Sequence, residues 1–159
     1  MSQRAQELSK RIEAFRDEVI DFINSLTGDE WKAVCDAEDW SVGTTAYHLG
    51  AGHLAIQGMI EMIIQGQPLP DLTMDQVNAM SDKSAREHAD STPAETLKKL
   101  RDNGRDLAAY VAGLSDAQLD RKGTMRAFGG EASVNQVIEY IIFQSGRQHL
   151  ASMKLALGR

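Results

Sequence analysis

Apolar residues along this chain recur with a helical rhythm. Leu8, Ile12, Phe15, Val19, Phe22 and Leu26 are separated by four, three, four, three and four positions, the seam of an amphipathic helix, which predicts a first long helix over about Ser2 to Leu26. Gly28 stops it, and Asp29-Glu30-Trp31 starts a short helical turn. Ser41 is a suitable cap for a second long helix, Val42 to Gln65. That helix carries two neighbouring stripes, Ala46-Leu49-His53-Ile56-Ile60-Ile63 and Thr45-His48-Gly52-Ala55-Met59-Met62. Being apolar around most of its circumference, it is expected either at the centre of the fold or against a second subunit.

Gly66-Gln67-Pro68-Leu69-Pro70 ends this helix, and the polar stretch Asp71 to Ser91 predicts a further helix from about Thr73. The 67–92 connection is long enough for a crossover rather than a hairpin. Thr92-Pro93, with Glu95 at the capping-box position, opens a third long helix with a core face of Leu97, Leu100, Gly104, Leu107, Val111 and Leu114. Gly123 to Gly130 supplies a turn or small hairpin, and Ser133 caps a last helix to Leu157. The expected class is all-α: a single four-helix bundle spanning 1–159, with a long crossover between its second and third helices. Helices of about 24 residues rise roughly 35 Å.

The last helix breaks its own pattern. Val134, Ile138 and Ile141 begin an apolar stripe, yet its continuation is Ser145, His149 and Ser152. Buried polar groups need partners, so this row is expected to meet something inside the bundle. His48 lies on an inward stripe of another helix, and Thr45, Gly52 and Ala55 beside it are small enough to leave a cavity, with Met59 and Met62 nearby. Small residues serve close helix packing equally well. Two inward histidines are in general more often satisfied core residues than metal ligands. His53 reads as a packing or interface residue, and His88, in the crossover, as exposed.

Composition narrows the partners. Net charge is −6, which speaks against nucleic acid as the main partner. Lys98, Lys99, Arg101 and Arg105 are diluted by Glu95, Asp102 and Asp106 and read as a solvated helix face. Cys35, the single cysteine, excludes a disulfide framework and reads as a small buried hydrophobe. No apolar run reaches membrane-spanning length and the first residues lack a signal core, so no membrane partner and a cytoplasmic location are expected. Phe128-Gly129-Gly130 lacks the lysine of a phosphate loop.

The element Trp40-Ser41, then Tyr47-His48-Leu49, then Ser145-x-x-x-His149-Leu150 in the final helix resembles the DinB-like superfamily of four-helix proteins. The likeness extends over nearly the whole chain, including helix lengths, the long second connection and the Gly-Gly turn. It implies a divalent metal, often zinc or nickel, held by one histidine of the second helix and by His-x-x-x-His in the last. In relatives such as mycothiol-dependent maleylpyruvate isomerase a glutamate replaces the first of these. It also implies kinship with bacillithiol- or mycothiol-dependent transferases, in which the metal activates the thiol. Carried over by position, His48 and His149 are metal ligands, and Ser145 stands at the middle ligand, where a neutral hydroxyl is a poor substitute unless Asn78, Asp75 or His88 of the crossover stands in.

Three readings follow. The preferred one is a degenerate metal site whose cavity, lined by Thr45, Gly52, Ala55, Met59, Ser145 and Ser152, binds a small molecule or water. The second is a divalent-metal-dependent thiol transferase or hydrolase using His48 and His149. The third is a homodimeric interaction module without catalysis.

Overall fold

A computed structural model describes residues 1–159, and it is mostly helical. The long helices are α1 (Gln3–Asn24), α3 (Val42–Ile64), α5 (Pro93–Ala112) and a final helix. The last starts as α7 (Val134–Val137), passes through a π-helical segment (Ile138–Ser145) and ends as α8 (Gly146–Ala156). Between them lie the short α2 (Gly28–Lys32), α4 (Met74–Glu87) in the long connection from α3 to α5, and the short α6 (Asp116–Asp120). Two small antiparallel hairpins pair β1 (Val34–Cys35) with β2 (Trp40–Ser41), and β3 (Lys122–Met125) with β4 (Gly130–Ser133).

Helix starts follow the capping chemistry of the sequence. Thr27, Thr73, Thr92, Ser115 and Ser133 each accept from the third backbone N–H of their helix while a Glu or Gln side chain returns the bond, satisfying two otherwise orphaned donors. Ser41 caps α3 through the Thr44 amide. Leu8, Ile12, Phe15, Val19 and Phe22 of α1 are buried with Leu100, Leu107 and Val111 of α5 and Ala46, Leu49, Ile56, Ile60 and Ile63 of α3, in one contiguous core. Gly104 leaves room on α5 for the Arg16 side chain of α1: a Cβ there would sit 2.6 Å from Arg16 Cδ. No helix is long and apolar enough to cross a membrane.

The last helix departs from its expected register. The stripe Val134-Ile138-Ile141-Ser145-His149-Ser152 was the row expected to be most deeply packed, but beyond Ile138 the buried row is Ile142, Gly146, Leu150 and Met153. Every position has moved on by one. The π-helical segment is the cause, since bonding to the fifth residue takes up more chain per turn than α-helical bonding. The polar residues therefore lie beside the core row, about 100° around the helix, and not at its centre.

Candidate functional site

A cavity of about 1060 Å³ lies between α3, α4, the 3-10 turn after β3 and the π-helical segment. The second stripe of α3 forms one wall through His48, Gly52, Ala55, Met59 and Met62. Helix α4 covers it with Met74, Val77, Asn78, Ser81 and Asp82, and Gln144, Ser145, Gln148 and His149 close the far side. Most of the remaining lining is hydrophobic, including Met125 and Phe128.

The polar end is assembled by the first hairpin. Asp39 is the only non-glycine residue with positive φ, at 57°, a conformation that Asp tolerates better than most side chains. Its amide bonds the Cys35 carbonyl at 2.9 Å, closing the turn that carries Glu38 and Trp40. Glu38 reaches the last helix. One carboxylate oxygen lies 2.9 Å from His149 Nδ1, and the other accepts the Ser152 hydroxyl at 2.5 Å. The Trp40 ring packs on both histidines, with centroids 5.1 Å from His48 and 6.2 Å from His149, while Nε1 donates to Asp82 of α4 at 2.9 Å. His48 and His149 meet edge to face at 5.1 Å.

Burial, with the neighbouring His149 adding to it, pushes the His48 imidazole down to about 4, against a weaker opposing pull from Glu38. His48 is therefore neutral near pH 7. His149 Nε2 and both ring nitrogens of His48 have no protein partner, and none of the three is sealed from solvent. Asp82 is held below the usual carboxylate range by the Trp40 N–H, then by Arg86.

Of the residues singled out from sequence, His48, Gly52, Ala55, Met59, Ser145 and His149 converge on the cavity. Two others sit elsewhere. Thr45 is fully buried behind His48 and its hydroxyl donates to the Ser41 carbonyl at 3.0 Å, a one-turn back-bond that turns it from the cavity. Ser152 is committed to Glu38. Among the residues between α3 and α5, Asn78 lines the cavity, Asp75 is exposed on α4 and forms no part of the lining, and His88 bonds the Ser84 carbonyl. His88 is not exposed as expected: it is partly buried because its ring stacks on Tyr47 at 4.5 Å. Cys35 is buried, and burial pushes its thiol up. His53 is a buried packing residue, 4 % exposed, with Nδ1 unpartnered.

Sequence reasoning missed Glu38. It sits in a short acidic turn, Asp36-Ala37-Glu38-Asp39, with no periodicity to single it out. Only its place two residues before Trp40 ties it to the site. Asp82 was missed too, because α4 is polar in composition, buries only Ala85, and has nothing in its sequence to single out one acidic residue among several.

A divalent metal does not fit the residues present. A zinc site open for catalysis keeps three protein ligands plus water. Here two imidazoles and a serine line the same cavity, and no group of three or more His, Cys, Asp or Glu side chains is placed to hold an ion. The nearest carboxylate, Glu38, is bound to the far edge of His149 and to Ser152.

No curated protein and no solved structure matches this chain. Residues 11–153, nearly its whole length and every element of the cavity wall, match the model of the DinB superfamily, and the chain belongs to that superfamily.

Proposed function

We infer that this DinB-superfamily chain is a small-molecule-binding protein, a single four-helix bundle whose crossover lays α4 over the former metal cavity as a cover. Its ligand has a largely apolar body, taken up by the methionines of α3 and α4, and a polar group met by His48 and His149. One observation carries this reading: two histidines with three ring nitrogens free of protein partners line a cavity whose other walls are mainly apolar side chains. Ligand sites commonly combine an apolar wall with a few convergent polar groups. A screen of small aromatic and aliphatic compounds by thermal unfolding tests it. A ligand at a hundred times its Kd stabilises the fold by about 2.7 kcal/mol, and His48→Ala and Met59→Trp are expected to abolish that gain. Failure of any compound to raise the Tm, or a rise unaffected by both substitutions, refutes the reading.

A second reading, a metal-dependent thiol transferase or hydrolase, is favoured by the Glu38–His149 contact, since ligating imidazoles usually give their other N–H to a carboxylate. Elemental analysis of protein purified without chelator, followed by zinc and nickel titration, separates the two. Stoichiometric metal retained through dialysis supports this second reading. Binding no tighter than micromolar leaves the metal-free cavity.

A further inference from the structure

We propose that Glu38, braced by Ser152, fixes His149 as a one-way hydrogen-bond acceptor, so that the cavity selects a neutral, largely apolar ligand carrying an O–H or N–H donor. The inference rests on the cavity reading above and names the chemistry of the polar group.

An ionised carboxylate only accepts hydrogen bonds. Glu38 lies 2.9 Å from His149 Nδ1, so that nitrogen bears the proton. In a neutral ring the other nitrogen, Nε2, then has a lone pair and no hydrogen. Nε2 is on the opposite edge of the imidazole from Glu38, has no protein partner, and belongs to a residue that lines the cavity. A histidine free to choose its tautomer could donate or accept at that edge. Between the two neutral tautomers the contact selects one, because turning Nδ1 into an acceptor would set two lone-pair groups against each other.

Ser152 removes the remaining freedom. Its hydroxyl donates to the second carboxylate oxygen at 2.5 Å and sits three residues after His149, on the same side of α8. Both oxygens are thereby tied to one helix, and the Glu38 side chain is only 10 % exposed. Trp40 stacks near-parallel on the His149 ring, 20° between planes, which limits rotation of the ring. The result is a fixed acceptor at the end of an apolar chamber. Carboxylate ligands are disfavoured at His149, since their acceptor oxygens would face the Nε2 lone pair with Glu38 close behind, and the neutral His48 ring offers only a single N–H in compensation. Alcohols, phenols and amides with an N–H fit.

The test pairs 2-naphthol with 2-methoxynaphthalene, which differ in the hydrogen-bond donor while sharing the aromatic body. Calorimetric titration of the full chain is expected to show naphthol bound about tenfold more tightly, the worth of one net hydrogen bond. In Glu38→Ala the preference should shrink to about threefold or less, with Ser152→Ala between the two. A spectroscopic arm needs no ligand. Imidazole nitrogen NMR near pH 7 should show His149 protonated at Nδ1 and bare at Nε2 in the wild type, and this signature should weaken in Glu38→Ala. If Glu38→Ala does not fold, Ser152→Ala and the wild-type spectrum still decide. Equal binding of the two probes overturns the donor preference and leaves the cavity reading standing. Binding of neither overturns both. A His149 ring with Nε2–H, or protonated on both nitrogens, overturns this inference whatever binds.

Discussion

His53 gives the protein a specific acid sensitivity. The residue lies on the core stripe of α3, 4 % exposed, with Nδ1 buried and unpartnered. Burial, with the charge of Arg16 adding to it, pushes its imidazole from 6.5 down to about 4. Above the unfolded value the ring is neutral in both states and costs nothing extra. As pH falls below about 6.5 the unfolded chain takes up a proton that the folded chain refuses, so stability drops until the folded value is passed. By about pH 5 the loss from this one residue is ~2 kcal/mol, approaching ~3.4 kcal/mol below pH 4. His48, displaced in the same direction, adds a loss of similar size. His53→Leu keeps roughly the side-chain volume and removes the titration. Urea unfolding followed by the fluorescence of Trp31 and Trp40, at about pH 7.5 and about pH 5, should show wild type losing ~2 kcal/mol more between the two conditions than the variant. At the higher pH the variant should be no less stable, because an orphaned buried nitrogen is removed. Equal losses in the two proteins would refute the argument.

Three further outcomes are expected. Ser145→His supplies the third imidazole opposite His48 and His149, and should convert a chain without tight zinc binding into one that binds zinc at least a hundredfold more tightly, read by competition with a chelating dye; unchanged affinity would show that the three positions do not converge on one ion. Trp40→Phe removes the N–H that ties the first hairpin to Asp82, so amide exchange along α4 should quicken about three- to tenfold while α1 and α5 keep their protection. Gly146→Ala would place a Cβ 2.8 Å from Phe15 Cε1 and 3.1 Å from Cζ, and after the gain in helix propensity it should still cost about 1 kcal/mol, a fall of roughly 3 °C in Tm by calorimetry.

Much of the fold was legible because it is written in periodicity and caps. The α1 seam, the α3 core stripe and the Thr92–Glu95 box each state their structure locally, and each is observed. The cavity wall of α3 was legible for the same reason: His48, Gly52, Ala55, Met59 and Met62 share one face of a straight helix. Thr45 lies on that face too, but one turn from Ser41 its hydroxyl is captured by the backbone, a competition that spacing does not record. The last helix was misread by one residue because counting at 3.6 per turn assumes α-helical bonding throughout, and nothing in Ile138–Ser145 announces otherwise. Glu38 was illegible for a different reason. Its partners His149 and Ser152 are more than a hundred residues away, and only tertiary packing brings a loop carboxylate to them.

The π-helical segment also bears on how this chain can tolerate insertions and deletions. Ile138–Ser145 holds a surplus residue relative to an α-helix of the same rise. Deleting one residue within it lets the segment relax to α-helical bonding, and everything downstream keeps its facing, with Gly146 still against Phe15 and His149 still on Glu38. The same deletion a few residues later, inside α8, has no slack to draw on and turns the rest of the helix by about 100°. Length variation in the last helix is therefore safe on one side of Gly146 and ruinous to the Glu38–Ser152 brace on the other.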